Sequence, residues 1–337
     1  MEKDNLILAA ITTCKRKPEM VERALKSVVN QTYKDWNLLV VDDSPADYEF
    51  REDVRKMVER YSENDKRIRY YPHDKNYGAQ RARNNALKIA EKEGFEFIAY
   101  LDDDDEWLPE KLEKQLSKFN ECNKNTALVY CGQYFVILDS TGKISLQISK
   151  VKEGHVHSDL LIGNFIGSCS IPMVRTKVLQ EVGGFDENFE ARQDLETWLR
   201  VTEQYDVACI NEPLIRYHKY HGDHIGSSLS RDIRSLKRLM LKHEASFKNE
   251  KNKYALWRRL LLLSKKLIQN REYKDGFKTW IQAVSLYPLR IISNLTTVLY
   301  AFLPFGFAAR CKYGFRTRFP SLYKILKLIK EKLSGRM

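Results

Sequence analysis

The chain has 337 residues, 43% of them hydrophobic and 30% charged, with a formal net charge of +12 at pH 7. That length holds one large α/β domain plus a smaller appendage, and the apolar content is ample for a core. The six cysteines (Cys14, Cys122, Cys131, Cys169, Cys209, Cys311) are scattered, with no CxxC and no histidine at metal spacing, so they read as reduced thiols rather than a zinc site or disulfide framework. Residues 231–337 hold 25 Lys and Arg against 6 Asp and Glu, a surplus of +19, while residues 1–230 carry −7. An acidic body with a basic tail implies two tasks, the tail facing an anionic surface. The first residues, Met1-Glu2-Lys3-Asp4-Asn5, do not resemble a signal peptide, and a cytoplasmic protein is expected.

Residues 6–11 read as a buried strand, followed by the polar loop Thr12-Thr13-Cys14-Lys15-Arg16-Lys17-Pro18. Val21, Ala24, Leu25, Val28 and Val29 then recur at helical spacing and mark one apolar face. Residues 36–41 form a second strand ending in Asp42-Asp43-Ser44-Pro45, which taken alone is equally a turn with a helix cap. A helix is predicted over 47–63, a short strand over 68–71, and a helix over 79–92 stopped by Gly94. Such alternation predicts βαβ units with right-handed crossovers and a parallel sheet.

The fourth strand, from Phe97, runs directly into Asp102-Asp103-Asp104-Asp105, and Pro109 opens the next helix. Adjacent carboxylates repel one another, and inside a fold a cation among them relieves the repulsion. Oxygen-only ligands at the carboxyl end of a strand suit Mg²⁺ or Mn²⁺. An acidic run alone is more often a solvated loop. Here the buried strand feeding it places the carboxylates at the crevice where open α/β sheets bind ligands, so a metal–diphosphate site is predicted.

After the helix over 109–122, strands at 127–138 and 143–149 flank the turn signal Asp139-Ser140-Thr141-Gly142 and predict a hairpin. Gly183-Gly184-Phe185-Asp186 is a loop, and Asp194 precedes a helical face made of Leu195, Trp198, Leu199 and Thr202, where it reads as an N-cap. A strand over 207–210 leads to a loop holding His218, His221 and His224. From Arg231 the chain is helical and basic. Leu260, Leu263, Leu267, Gly276, Trp280, Ala283 and Pro288 fall at the offsets of a single tetratricopeptide-like hairpin, read as a packing element.

Over residues 5–225 the chain resembles family 2 glycosyltransferases with the GT-A fold, an α/β, Rossmann-like, mostly parallel sheet flanked by helices. The resemblance rests on a series of motifs in order. They are Ile11-Thr12-Thr13-Cys14-Lys15-Arg16, Ser27 to Tyr33 with Trp36, Val41-Asp42-Asp43-Ser44, Asn76-Tyr77-Gly78 with Ala82-Arg83-Asn84, Tyr100 to Trp107, Val182 to Asp186, and Asp194 to Arg200. The family usually has Tyr-Asn where this chain has Cys14-Lys15. The resemblance implies an inverting, metal-dependent transferase of the hexosyltransferase type, using a nucleotide-diphospho-sugar, with UDP favoured. By it Thr12, Arg16, Asp43, Arg83, Asp102 and Asp103 hold the nucleotide, and Asp43 is suited to the N3–H of uracil. Asp104 and Asp102 hold Mn²⁺ or Mg²⁺, joined in some relatives by a histidine at the place of His221, and Asp194 is the catalytic base.

The catalytic domain is expected over 1–228 and a helical, membrane-associating region over 229–337. Residues 291–309 are uncharged but just short of a membrane span, and they carry Pro304. Tyr300, Phe302, Phe305 and Phe307 suit an interface, so peripheral attachment to the inner membrane face beside a lipid-linked or growing glycan acceptor is expected, with no nucleic acid partner. A helix buried against the body is the other reading of that stretch. Three other functions fit less well. A nucleotidyltransferase wants a glycine in the loop over 12–18, a dinucleotide oxidoreductase wants GxGxxG, and an inactive glycan-binding relative has no need of Asp104 and Asp194.

Overall fold

The computed structural model describes residues 6–137, 144–147, 151–219 and 228–302, in two compact units divided after Ala255. The first unit begins with three βαβ units: β1 (Ile7–Thr13), α1 (Pro18–Val29), β2 (Trp36–Asp42), α2 (Arg51–Asn64), β3 (Ile68–Pro72), α3 (Ala79–Lys92) and β4 (Phe97–Asp102). Every residue of β1 is buried, as expected of a strand covered on both faces. Pro18 starts α1, and Val21, Ala24, Leu25 and Val28 form its buried stripe.

These four strands are parallel in the order β3-β2-β1-β4. The register sets Thr13 beside Asp42 and Thr12 beside Asp102. The strand order reverses at β1, so the carboxyl ends of β1, β2 and β4 open on the switch-point crevice.

The chain continues through β5 (Glu106–Trp107), α4 (Lys111–Glu121), β6 (Thr126–Ile137), β7 (Ile144–Gln147), α5 (His157–Ile162), β8 (Met173–Arg175), α6 (Thr176–Glu181), α7 (Gln193–Gln204) and β9 (Asp206–Lys219). β8 runs antiparallel between β4 and β6, and β9 lies parallel to β6 and antiparallel to β5. The far half of the sheet is therefore mixed. β6 and β7 form the predicted antiparallel pair, and the turn over 139–142 lies outside the described residues.

α8 (Leu229–Lys242) and α9 (Glu244–Lys248) also belong to the first unit. Ser235 Oγ accepts from the Ala191 amide at 3.0 Å, and Asp232 pairs with Arg192 at 2.5 Å. The expected boundary at 228/229 thus falls just before a helix packed on the segment that leads into α7.

α10 (Lys253–Gln269), α11 (Tyr273–Leu286) and α12 (Ile291–Ala301) follow, and the second unit starts at Leu256. A side chain at Gly276 would meet Ile268 Cγ1 at 2.6 Å and its backbone nitrogen at 3.2 Å, so glycine lets α11 touch α10 as the predicted hairpin requires. Asn294 ties the helices together, accepting from Trp257 Nε1 at 3.0 Å and Trp280 Nε1 at 2.8 Å.

One core residue is unusual. Lys111 is fully buried, its Nζ 2.7 Å from Gln115 Oε1 and 4.2 Å from the Trp107 ring centroid. Burial pushes its pKa from 10.5 down to about 8. The folded state therefore bears the full cost of a buried ammonium below about pH 8, and that cost vanishes above about 10.5, where the unfolded chain is also neutral. Lys111→Met should raise stability at pH 7 by about 2 kcal/mol, and the gain should shrink toward zero by pH 10. Denaturant unfolding at the two pH values measures this, and an equal gain at both would show that the ammonium is not the cost.

Candidate active site

The aspartate run closes on itself. The Asp105 amide donates to the Asp102 carbonyl at 3.0 Å, making a tight turn that sends alternate side chains in different directions. Asp103 and Asp105 are buried, while the side chains of Asp102 and Asp104 stay 28% and 25% exposed. Three arginines hold the turn. Arg16 donates to Asp103 at 2.9 Å and to Asp104 at 3.2 Å, Arg83 to Asp102 at 2.6 Å, and Arg23 to the Asp104 carbonyl at 2.8 Å.

The neutralisation that the sequence assigns to a metal is thus partly supplied by guanidinium groups. Burial pushes Asp103 up to about 7, with Arg16 opposing and Asp104 reinforcing. Burial and then Asp102 raise Asp104, and burial raises Asp105 well above the carboxylate range, with Asp102 and Asp104 adding to it. Among the described residues no three Asp, Glu, His or Cys side chains converge on a metal position. Two half-open carboxylates nevertheless suit a hard cation such as Mg²⁺ or Mn²⁺, which binds through one or two carboxylates and completes its shell with phosphates and water. Asp104 and Asp102 fit that role, and the Arg16–Asp104 contact is the one a bound ion would compete with.

Asp194 enters the same field from a distant part of the chain. It is not the helix cap expected from sequence. α7 begins at Gln193, with Arg192 at the cap in a left-handed conformation (φ 61°), so Asp194 is the second helical residue. Its Oδ1 accepts from the Leu195 amide at 2.7 Å and its Oδ2 from Asn164 Nδ2 at 3.1 Å, which leaves acceptor capacity on both oxygens. Burial and the charge of Asp102 raise its pKa, opposed by the Leu195 amide and Arg83.

Asn164 belongs to a loop that reaches both ends of the site. It also donates to the Gly167 carbonyl, while Ser170 Oγ accepts from the Asp102 amide at 3.0 Å. Sequence reading passed over Arg23 on α1, and over Asn164 and Ser170, whose only local signal is the turn-forming composition of Gly163-Asn164 and Gly167-Ser168. It also passed over Tyr217 on β9, whose phenol pKa is raised by burial and then by Asp105, Asp104, Asp102 and Asp194.

At the neighbouring ends of β1 and β2, Thr12 lies beside Asp102. The buried Asp43 carboxylate accepts from the Tyr77 amide at 2.8 Å and the Gly78 amide at 2.7 Å, and His73 Nδ1 lies 2.7 Å away. Asn85 Nδ2 donates to His73 Nε2 at 2.8 Å, which puts the imidazole proton on Nδ1, facing Asp43. Three of Asp43's roughly four acceptor positions are thus taken by the protein. Where the resemblance leads one to expect an aromatic ring, Cys14 Sγ accepts from Asn76 Nδ2 at 2.9 Å, and burial pushes the thiol up to about 11. Of the three histidines in the late loop, His218 pairs with Glu106 at 3.0 Å, and His221 and His224 lie outside the described residues.

Residues 9–183 match the model of glycosyl transferase family 2. A UDP-Glc:alpha-D-GlcNAc-diphosphoundecaprenol beta-1,3-glucosyltransferase of Escherichia coli is 30% identical over 210 residues, covering 62% of this chain and 74% of that one. The fold is similar to Staphylococcus aureus TarS in complex with UDP-GlcNAc, with TM-score 0.59, 16% identity and coverage of 85% of this chain and 82% of that chain. It is also similar to a mannosyltransferase of Pyrobaculum calidifontis in complex with GDP-Man and Mn²⁺, with TM-score 0.55, 15% identity and coverage of 98% and 88%. The matched span runs from β1 to the loop after α6 and includes the aspartate turn, and with it the chain belongs to glycosyl transferase family 2 and has the GT-A fold.

Proposed function

We propose that the chain transfers a hexose, with inversion, from a nucleotide-diphospho-sugar to a lipid-linked or growing glycan acceptor in cell-surface polysaccharide or glycoconjugate synthesis. The observation that carries this reading is the Asp194 carboxylate, fixed through both oxygens in the field of Asp102 and Arg83. Inversion by single displacement needs one such carboxylate on the face opposite the leaving group. Asp194 takes the proton of the acceptor hydroxyl as its oxygen bonds to the anomeric carbon, and the bond from that carbon to the β-phosphate oxygen breaks toward the nucleoside diphosphate. A raised pKa makes the carboxylate a stronger base.

Arg83 faces the developing charge. Its Nε and Nη1 are buried without a partner among the described residues while Nη2 is spent on Asp102, so the guanidinium has donors left for a phosphate. Asp104 and Asp102 would hold Mn²⁺ or Mg²⁺, which when bound supplies Lewis-acid charge to the departing diphosphate. The Mn²⁺ in the mannosyltransferase complex supports this reading. The acceptor position left on Asp43 suits the N3–H of uracil, and the UDP-linked names of two of the similar proteins support a UDP-sugar.

We assign catalysis to the first unit and attachment to the inner membrane face to the basic segment over 231–337. No described helix is long and apolar enough to cross a membrane, and α12 ends after 11 residues at Ala301. The +19 of that segment favours an anionic leaflet at about 1 kcal/mol per basic residue near the surface.

Two substitutions test the roles proposed for Asp194 and Asp104. Asp194→Asn should lower kcat by about 10²–10⁴-fold with donor affinity nearly unchanged. A variant that keeps its rate and loses only thermal stability would make Asp194 a structural residue. Asp104→Asn should abolish Mn²⁺-dependent binding of UDP in calorimetry and leave the circular dichroism spectrum intact, whereas full wild-type activity in excess chelator would contradict metal use.

A further inference from the structure

The second unit exposes apolar side chains at a density found nowhere else among the described residues. Of ten exposed large hydrophobic residues, six fall between 273 and 302: Tyr273, Phe277, Ile281, Leu289, Leu295 and Phe302. The other four are scattered over residues 71–241. Single exposed hydrophobics are ordinary on a folded protein, but a contiguous group is not.

The geometry of α11 explains the group. Gly276 and Ala283 are its buried positions, and Gly276 sets the close approach to α10. Tyr273, Phe277 and Ile281, at i, i+4 and i+8, form a stripe that this approach leaves uncovered. Phe302, just past α12, stacks on Tyr273 with centroids 6.1 Å apart and planes at 12°, lies 6.5 Å from Phe277, and is still 57% exposed. The stripe therefore continues from one helix onto the end of the next. Exposed Lys274 and Lys278 run beside it on α11. Residues 256–302 hold eight Lys and Arg against two acidic residues.

We propose that this face of the second unit, centred on Tyr273, Phe277, Ile281 and Phe302, is a docking surface for an anionic lipid bilayer. The rings and Ile281 sit at the headgroup–acyl boundary, and Lys274 and Lys278 meet headgroup phosphates. An apolar stripe with aromatic anchors and lysines along its polar edge is the pattern of helices that lie in a membrane interface. A second copy of the chain would bring two basic faces together, which charge opposes. The proposal rests on the membrane reading above and gives it a place: the contact is made by α11 and the end of α12, ahead of Phe305 and Phe307.

The test uses the full chain and vesicles of phosphatidylcholine with or without 30% phosphatidylglycerol, about a third of the lipid being anionic as in a charged leaflet. Wild-type protein should co-sediment with the anionic vesicles and be released as salt rises. Phe277→Asp with Ile281→Asp changes two side chains of the face that are 39% and 61% exposed, so the fold should survive, and binding should fall at least tenfold. Lys274→Glu with Lys278→Glu should weaken binding severalfold and flatten its salt dependence. UDP binding in the presence of Mn²⁺, read on each variant, should stay at the wild-type value. If the Phe277/Ile281 variant binds vesicles as well as wild type does, this face is not the surface, although the membrane reading stands. If wild type binds no vesicles yet binds UDP, both the surface and the membrane reading fall while the transferase reading survives. A dimer in sedimentation velocity that the same variant dissociates, without vesicle binding, would make the face a contact between copies and overturn the proposal.

Discussion

Five aspartates, Asp102 to Asp105 and Asp194, share one partly dry crevice, and their mutual repulsion is the constraint on which the rest of the first unit depends. Two carboxylates about 5 Å apart at an effective dielectric of about 20 repel by roughly 3 kcal/mol, so several such pairs could unfold a domain of ordinary stability. Three devices contain it. Arg16 and Arg83 pair with the run from two other elements, and burial holds Asp103 and Asp105 toward their neutral forms. The third is positional, since the turn alternates buried and half-open side chains. Only the Asp102 and Asp104 side chains stay half-open.

The same constraint explains the supports around Asp194. Holding a carboxylate near that run requires donors on it, and the Leu195 amide and Asn164 supply them. The loop from Asn164 to Ser170 ties Asp194 to the Asp102 backbone, so the proposed base and the aspartate turn share one frame. Arg192 bears a left-handed φ of 61° so that α7 can start there, a conformation costing a non-glycine residue on the order of 1 kcal/mol. Its ion pair with Asp232 on α8 helps to offset that cost. This is a physical reason for the first unit to run on past residue 228.

Much of this was legible in the sequence. Three buried runs, a short edge strand and the helices between them specify a parallel quartet, because strands covered on both faces read as unbroken apolar segments. The aspartate run stood out for its chemistry, whereas Asp194 read locally as a helix cap and was marked as a base only by the family resemblance. β5 and β8, of two and three residues, were too short to show a period, and both are held by partners distant in the chain. Arg16 and Arg83 were legible as cations but not as partners of Asp103 and Asp102, which lie 87 and 19 positions away. The start of α7 was misplaced because nothing local announces a left-handed arginine. On α11 the hairpin pattern placed Gly276 and Ala283 at packing positions, and both are buried, whereas the exposed stripe of Tyr273, Phe277 and Ile281 was not read from the sequence.

The central claim is that Asp194 and the aspartate turn lie on opposite sides of a single displacement. The most direct test is the configuration of the transferred sugar. With an α-linked UDP-hexose as donor, proton NMR of freshly formed product, before mutarotation in the case of slow hydrolysis, should show the large anomeric coupling of a β-linked gluco-configured sugar. An α-linked product would contradict the account, because retention requires a second displacement or a front-face route that does not use Asp194 as a base.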